Sequence, residues 1–183
     1  MRIITGSARG TRLKSPVGEG TRPTADRTRE ALFSMLGARV HEARVLDLFA
    51  GTGALALEAL SRGAAHAVLV DRTTYAILTE NAQRTKLAAR AEIRRGDVYG
   101  QVAALAREGR TFDLVFADPP YARGDNARVL SAVDEGLLAA DGLLVLEQGA
   151  AEPLIEHSGS FLLMRERRYG AARVCFYMKA VQK

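Results

Sequence analysis

The sequence has little that would suit it to an oxidising environment or to a membrane. Its only cysteine, Cys175, can form neither an internal disulfide nor a metal cluster by itself, and the run VCFYM around it is typical of a core segment. No stretch of 18 apolar residues occurs, and the first residues, MRIITGSARG, lack the apolar segment of a signal peptide. These absences predict a cytoplasmic protein without a membrane span or a metal site.

The charge of the chain is distributed unevenly. Residues 1–40 contain 8 Lys/Arg and 3 Asp/Glu, and residues 165–183 contain 6 and 1, so each end carries a net charge of +5. Residues 41–164 contain 12 Lys/Arg and 17 Asp/Glu, which gives −5. This asymmetry favours a polyanionic partner that docks on the two terminal segments. A solvated basic surface explains the charge pattern alone equally well.

The 183 residues suffice for one sizeable domain, in which strand-like and helix-like patterns alternate from residue 44 onwards. Strands are predicted at 44–50, 66–71, 91–97, 112–120 and 142–148, followed by a closing antiparallel pair at 161–170 and 172–180. This order predicts an α/β fold, a doubly wound, mostly parallel seven-stranded sheet with helices on both faces. Ahead of it, residues 2–5 and 11–14 predict a β-hairpin, and a helix is expected from the N-cap Thr24 to an end at Gly37.

We therefore expect residues 1–183 to form a single domain, with a basic extension over 1–40 and a cofactor-binding and catalytic core over 41–183. No internal repeat and no low-complexity segment interrupts this arrangement.

The motif DLFAGTG at 47–53 follows the pattern strand, tight turn, helix start. Gly51 and Gly53 allow a ligand to approach the backbone, and the next helix points its N-terminus at that ligand. In an open parallel sheet such a ligand lies beyond the carboxyl ends of the strands. With Ala56 in the third glycine position, the motif suits NAD, FAD or S-adenosylmethionine.

Two further acidic residues end predicted strands. Asp71 follows the second strand, where a carboxylate can accept both hydroxyls of a ribose, a group that all three cofactors share. Asp97 follows the third strand, where it could accept the amino group of an adenine. An ordinary turn aspartate explains Asp97 equally well.

The motif DPPY at 118–121 directly follows the predicted strand FDLVFA. Two prolines stiffen the loop and leave the preceding carbonyls available as acceptors. Asp118 and the Pro119 carbonyl can hold the hydrogens of an exocyclic amine, whose lone pair then turns toward a methyl group, while Tyr121 offers a flat face for a base. This arrangement predicts methyl transfer to a planar amine.

Read with its flanks, the chain resembles the RsmD family, bacterial 16S rRNA (guanine-N(2))-methyltransferases. The matching segments are RIITGSARGTRL (2–13), RPTADRTREALF (22–33), LDLFAGTGALALEALSRGA (46–64), FDLVFADPPY (112–121) and RRYGAARVCFY (167–177). The resemblance implies Asp47, Gly51, Gly53, Asp71 and Asp97 as contacts of S-adenosylmethionine, and Asp118, Pro119 and Tyr121 as the catalytic loop. The chain departs from the family at position 71, where a glutamate is expected more often. Asn81 also fits the family pattern, and we expect it to make a helix–helix hydrogen bond.

The resemblance implies a specific guanine of 16S rRNA as substrate, either in naked RNA or in a small ribosomal subunit or its assembly intermediate. The base must be unpaired or flipped, because a duplex hides its 2-amino group in the minor groove. We expect a monomer. The predicted RNA-binding side chains are Arg9, Arg12, Lys14, Arg22, Arg27, Arg29, Arg167 and Arg168.

Three alternatives stay open from the sequence. A DNA adenine methyltransferase would use the same DPPY motif, although 183 residues leave little room for a target-recognition region. A nicotinamide-dependent oxidoreductase would use the glycine-rich turn, but DPPY would then have no purpose. A non-enzymatic RNA-binding module would explain the basic ends and would bind no cofactor.

Overall fold

The computed structural model of the chain describes residues 1–16, 23–119, 125–134 and 136–180. Its helices are α1 (Pro23–Leu36), α2 (Ala54–Ser61), α3 (Tyr75–Arg84), α4 (Val98–Arg107) and α5 (Asp125–Asp134), with short 3-10 turns at Gly37–Val40 and Ala88–Arg90. Its strands are β1 (Arg44–Leu48), β2 (His66–Asp71), β3 (Ala91–Arg95), β4 (Phe112–Ala117), β5 (Leu138–Gly149), β6 (His157–Ser158), β7 (Phe161–Tyr169) and β8 (Ala172–Lys179). None of the helices within these ranges has both the length and the apolar character to span a membrane.

The strands form one sheet in the order β3-β2-β1-β4-β5-β8-β7-β6. The first five strands in this order, from β3 to β5, pair in parallel. Strands β8, β7 and β6 continue the sheet in antiparallel pairs. The predicted α/β architecture and the closing pair are confirmed. The predicted count of seven is wrong by one, because β6 adds an edge strand of only two residues, which is too short to leave an alternating pattern in the sequence.

Apolar side chains of the sheet alternate between two cores. We call the side that packs against α1, α2 and α3 the α1 face; it carries Val45, Leu114, Phe116, Val145 and Phe176. We call the opposite side, which packs against α4 and α5, the α4 face; it carries Leu46, Val115, Leu144, Leu146 and Cys175. Because successive residues of a strand point to opposite faces, this division also assigns the polar residues at the strand ends.

The N-terminal segment differs in detail from the expected hairpin. Arg2 and Arg12 form one isolated antiparallel bridge, supported by a hydrogen bond from the Ile3 N–H to the Thr11 carbonyl at 3.0 Å. The following helix begins at Pro23, one residue before the predicted cap Thr24, because proline suits the first helical position. It ends at Leu36, before Gly37 with a φ of 51°, as predicted.

Helix α2 anchors this N-terminal segment. Glu58 is fully buried and accepts hydrogen bonds from the backbone N–H groups of Ile4 at 2.7 Å and Thr5 at 3.0 Å. A Cβ at Gly6 would lie 1.8 Å from the carbonyl oxygen of Ser61, so only glycine permits this approach. The segment is therefore fixed along α2, from its middle to its C-terminal end.

Candidate active site

The turn after β1 is held in shape by a buried carboxylate. Asp47 is 3% exposed, and its Oδ2 accepts a hydrogen bond from the Ala56 N–H at 3.1 Å. Burial raises the pKa of Asp47 to about 7, the Ala56 hydrogen bond opposes the rise, and the charge of Asp71 adds to it. The structure thus places this predicted cofactor contact beneath the glycine turn, where it sets the path of the backbone into α2.

The two glycines of the turn have different surroundings. Gly53 has a φ of 78°, and a Cβ there would lie 3.0 Å from the side chains of Leu69 and Leu78. Gly51 has a φ of 56°, and a Cβ there would meet only a backbone oxygen at 3.9 Å. Both positions favour glycine through their positive φ, and Gly53 is also tightly packed, whereas Gly51 leaves open space in which a ligand can approach the backbone.

Asp71 joins the end of β2 to the glycine turn. Its Oδ2 accepts from the Gly51 N–H at 3.0 Å, and its Oδ1 accepts from the N–H groups of Thr73 at 2.8 Å and Thr74 at 2.9 Å. Desolvation alone would raise the pKa of Asp71, but these backbone hydrogen bonds outweigh it, and the pKa lies below its usual value. Asp71 is thus an ionised acceptor at the position predicted for a ribose contact.

Asp97 caps a helix. Its Oδ2 accepts a hydrogen bond from the Gly100 N–H at 3.0 Å, which satisfies one of the free N–H groups in the first turn of α4. Two aromatic rings that the sequence analysis overlooked lie nearby: Phe49 and Tyr99 meet edge to face with centroids 6.4 Å apart. Phe49 has a φ of 62°, which is costly for an aromatic residue and typical of a functional site.

Asn81 makes hydrogen bonds, but not the helix–helix hydrogen bond that the sequence predicted. Asn81 is fully buried, and its Nδ2 donates at 2.9 Å to both the Lys14 carbonyl and the Thr52 carbonyl, while its Oδ1 accepts from the Lys14 N–H at 2.7 Å. It joins the N-terminal segment to the glycine turn, not one helix to another. A hydrogen bond to two distant backbone segments leaves no periodic signal in the sequence.

Asp118 lies directly after β4, beside the end of β1, and its N–H donates to the Leu48 carbonyl at 3.4 Å. By alternation along β4 its side chain shares the α1 face with Phe116. The residue is open to solvent, but the protein around it partly desolvates the carboxyl group. This desolvation, followed by the negative charges of Glu147 and Asp47, raises the pKa of Asp118 to about 7.

Glu147 is a candidate that the sequence analysis overlooked. Ala117 pairs with Leu146, so Asp118 and Glu147 are the next residues along two adjacent parallel strands, and both belong to the α1 face. The only signal was an acid at the end of the strand LLVLEQ, at the same edge as the other strand-end acids. Pro119, the second residue of DPPY, is buried. Tyr121 lies outside the described residues.

The predicted RNA-binding residues are placed very differently. Arg9, Arg12, Lys14, Arg27, Arg167 and Arg168 are exposed, and Arg22 lies outside the described residues. Arg29 is 4% exposed, and it contacts Asp26 at 3.1 Å, Glu58 at 3.8 Å and the Arg2 carbonyl. The assignment of Arg29 to an RNA surface is therefore contradicted, because internal partners use its guanidinium. Lys14 pairs with Glu80 at 2.6 Å.

This edge of the sheet is built as in the class I methyltransferases that take their methyl group from S-adenosylmethionine, and the chain is an enzyme of that class. Within the class it belongs to the RsmD family: the family profile described as "Conserved hypothetical protein 95" matches residues 1–178.

Relatives with assigned names agree with this membership. The chain is 38% identical over 182 residues to the "Putative rRNA methyltransferase YlbH" of Bacillus subtilis, with 98% of this chain and 99% of the relative covered. It is 37% identical over 185 residues to the "Ribosomal RNA small subunit methyltransferase D" of Escherichia coli, with 100% and 91% covered. A solved structure, the putative methyltransferase yhhF from Escherichia coli, superposes with a TM-score of 0.86 at 36% identity and covers 100% of this chain and 99% of its own.

Proposed function

We propose that the whole chain acts as one domain that transfers a methyl group from S-adenosylmethionine to the exocyclic 2-amino group of a guanine in small-subunit rRNA. The relative from Escherichia coli is named for the small ribosomal subunit, which supports this choice of RNA. The observation that carries the proposal is the position of Asp118. It ends β4 beside the glycine turn, with its pKa raised and with Glu147 on the next strand.

We call the carboxyl ends of the parallel strands β1 to β5, with the turns that follow them, the carboxyl edge. Its residues fit the proposed cofactor. Asp71 offers an ionised acceptor for the ribose and Gly51 leaves open space at the backbone. Asp97 comes two residues before Tyr99, whose ring contacts Phe49 and is covered by Arg128 at 3.6 Å, so Phe49 is the ring that offers apolar surface to an adenine. When bound, the cofactor supplies a methyl group carried on a positively charged sulfur. Asp47 contributes by holding the turn in shape through Ala56.

The protein must make a poor nucleophile reactive, because the lone pair of the 2-amino group is delocalised into the base. The carboxylate of Asp118 and the Pro119 carbonyl accept the two amine hydrogens and turn the lone pair toward the methyl group. Once methylated, the nitrogen would have one hydrogen to release as a proton, beside the carboxylate of Asp118. Asp118, with a pKa of about 7, accepts this proton and releases it to solvent.

The substrate is a guanine that leaves its stack to reach Asp118, in an assembled small subunit or its assembly intermediate. The enzyme acts as a monomer in the cytoplasm, where this RNA is present. Exposed basic residues on the two terminal segments hold the RNA backbone, namely Arg12, Lys14, Arg27 and Arg167, together with Arg22, which lies outside the described residues.

The test is single-turnover transfer of a labelled methyl group to small ribosomal subunits, and to naked 16S rRNA, from a strain that lacks this protein. Mass spectrometry of the digested nucleosides should find the label on N2 of guanosine. Label on adenosine, or on DNA instead of rRNA, would contradict the proposal. Binding of S-adenosylmethionine without transfer to any of these acceptors would contradict the assigned substrate but not the class.

A further inference from the structure

Strand β7 contains a β-bulge that decides which of its arginines lie on the α1 face, the face of Asp118. Leu163 pairs with Tyr177 and packs on the α4 face, whereas Arg165 pairs with Phe176, which belongs to the α1 face. The extra residue between them, Met164, forms a β-bulge, and 60% of it is exposed. Residues after the bulge are therefore turned to the face opposite to the one that simple alternation would give.

Because directly opposite residues of an antiparallel pair share a face, the register assigns each side chain that follows the bulge. Arg165 and Arg167 pair with Phe176 and Val174, so they lie on the α1 face. Glu166 and Arg168 pair with Cys175 and Arg173, so they lie on the α4 face. Two neighbouring arginines that look equivalent in the sequence thus point to opposite sides of the sheet.

The same register places Arg167 level with the catalytic carboxylate. Asp118 lies beside Glu147, Glu147 pairs with Val174, and Val174 pairs with Arg167. These residues form one row across four adjacent strands, all on the α1 face. With strands about 4.8 Å apart, Arg167 begins roughly 14 Å from Asp118. Arg165 lies two residues earlier on β7, on the same face, in the row of Phe116, Val145 and Phe176.

The electrostatic surroundings of the two faces differ as well. On the α4 face, Glu166 contacts Arg173 at 3.2 Å and Arg168 at 3.8 Å, which partly neutralises Arg168. On the α1 face, no carboxylate of the described residues lies within 4.0 Å of Arg165 or Arg167, and the one hydrogen bond of Arg167 goes to the Glu166 carbonyl at 2.9 Å. Both guanidinium groups keep donors for an anion.

We propose that Arg165 and Arg167 bind phosphates of the rRNA strand next to the target guanine, in line with Asp118, and that Arg168 does not contact RNA. This inference rests on the proposed function for the identity of the RNA. Two positive charges on the α1 face fit the phosphate backbone of one RNA strand. A base of that RNA strand can then reach the carboxylate of Asp118, at the other end of the row. The bulge at Met164 is the structural device that aims both arginines at this strand.

The experiment measures the affinity of the full chain for a 16S rRNA transcript and for small subunits over a range of salt. Arg165→Gln and Arg167→Gln should each weaken binding roughly five-fold at 0.1 M salt and lower the slope of log affinity against log salt by about 0.7, the value for one single-strand phosphate contact. Arg168→Gln, the matched control, should change affinity less than two-fold and leave the slope unchanged. Calorimetry with S-adenosylmethionine should give the same affinity for all variants.

An equal loss in Arg167→Gln and Arg168→Gln, or an unchanged slope in Arg165→Gln and Arg167→Gln, would overturn the inference. Binding is measured without turnover, so this result is separate from the proposed function. If the wild type bound the RNA through these arginines but transferred no methyl group, the proposed function would fail while this surface would stand. If methyl transfer occurred and the arginines did not matter, the reverse would hold.

Discussion

The two halves of the carboxyl edge use their acidic side chains in opposite ways. After β1, β2 and β3, the carboxylates of Asp47, Asp71 and Asp97 each accept a backbone N–H: from Ala56 in the first turn of α2, from Gly51 in the glycine turn, and from Gly100 in the first turn of α4. At the end of β4, the carboxylate of Asp118 accepts no hydrogen bond from the residues that the structure describes. The first three carboxylates therefore hold the backbone around the proposed cofactor site in shape, whereas the carboxylate of Asp118 has no such partner among the described residues.

The pKa values express the same contrast. Backbone hydrogen bonds hold the pKa of Asp71 below its usual value, so it is ionised and rigid at neutral pH. Desolvation and the charges of Glu147 and Asp47 raise the pKa of Asp118 to about 7. A ligand that donates hydrogen bonds would therefore stabilise the ionised carboxylate of Asp118 strongly. Asp47 shares a raised pKa but is already bonded to Ala56, so a raised pKa alone does not identify the catalytic group.

The largest effect should come from removing the unused acceptor. Asp118→Ala should lower single-turnover methyl transfer by about 10²–10³, the typical loss for one preorganised polar contact, while binding of S-adenosylmethionine stays nearly unchanged. The matched control is Asp113→Ala, at the other end of β4, where Asp113 pairs with Arg44 at 2.8 Å. Transfer by Asp118→Ala within a few-fold of wild type would remove the contrast between the two halves.

Removing an acceptor from the cofactor half should instead affect binding. Asp71→Ala should raise the dissociation constant of S-adenosylmethionine roughly ten- to hundred-fold, because a hydrogen bond to a charged group contributes about 1.5–3 kcal/mol. The loss also frees the Gly51 N–H that Asp71 holds. Calorimetry checks this value, and Asp71→Asn, which keeps an acceptor without the charge, should fall between wild type and alanine. Equal affinities in all three proteins would show that the cofactor site lies elsewhere.

The raised pKa of Asp118 predicts a pH dependence with a definite sign. The ionised form is the one that accepts amine hydrogens, so kcat/KM should rise with pH and level off above about 7. At pH 6 it should be about ten-fold below the plateau, as expected for one group one unit below its pKa. Asp118→Asn should be slower and lack this inflection. An inflection that persists in Asp118→Asn would assign the titration to Asp47.

The smallest effects should come from single basic residues of the N-terminal segment. Arg27 lies near the start of α1, whose Phe33 reaches Phe116 close to the catalytic edge, so Arg27→Gln should weaken RNA binding roughly five-fold at 0.1 M salt. Arg9 follows Ala8, which is held by Ser61 at the far end of α2, about 10 Å from the glycine turn along the helix. Arg9→Gln should stay within two-fold of wild type. Filter binding at several salt concentrations would distinguish them, and the opposite ranking would argue against this orientation of the RNA.

Much of the fold and part of the site could be predicted from the sequence. The five parallel strands, the closing pair and the turn containing Gly51 and Gly53 follow from patterns that span neighbouring residues. The strand-end position of Asp118 follows from its place directly after an apolar run. The helical spacing of Arg29 with Leu32, Phe33 and Leu36 places it on the buried face of α1, whereas Arg27 lies off that face. Its ion pair with Glu58 could not be predicted, because the two residues are 29 positions apart. The bonds from Asn81 to Lys14 and Thr52 were missed for the same reason.

The sequence by itself determined the alternation of strands and helices, the glycines of the turn and the acids that end the strands, because local sterics and hydrophobic periodicity act over a few residues. Only the tertiary structure decided what each charge does. Packing buries Arg29, lets the Ala56 N–H donate a hydrogen bond to Asp47, and brings Glu147 beside Asp118. The bulge at Met164 turned Arg167 and Arg168 to opposite faces. The physical reason is that the energy of a charge depends on the groups and solvent around it, and residues distant in the sequence supply those surroundings.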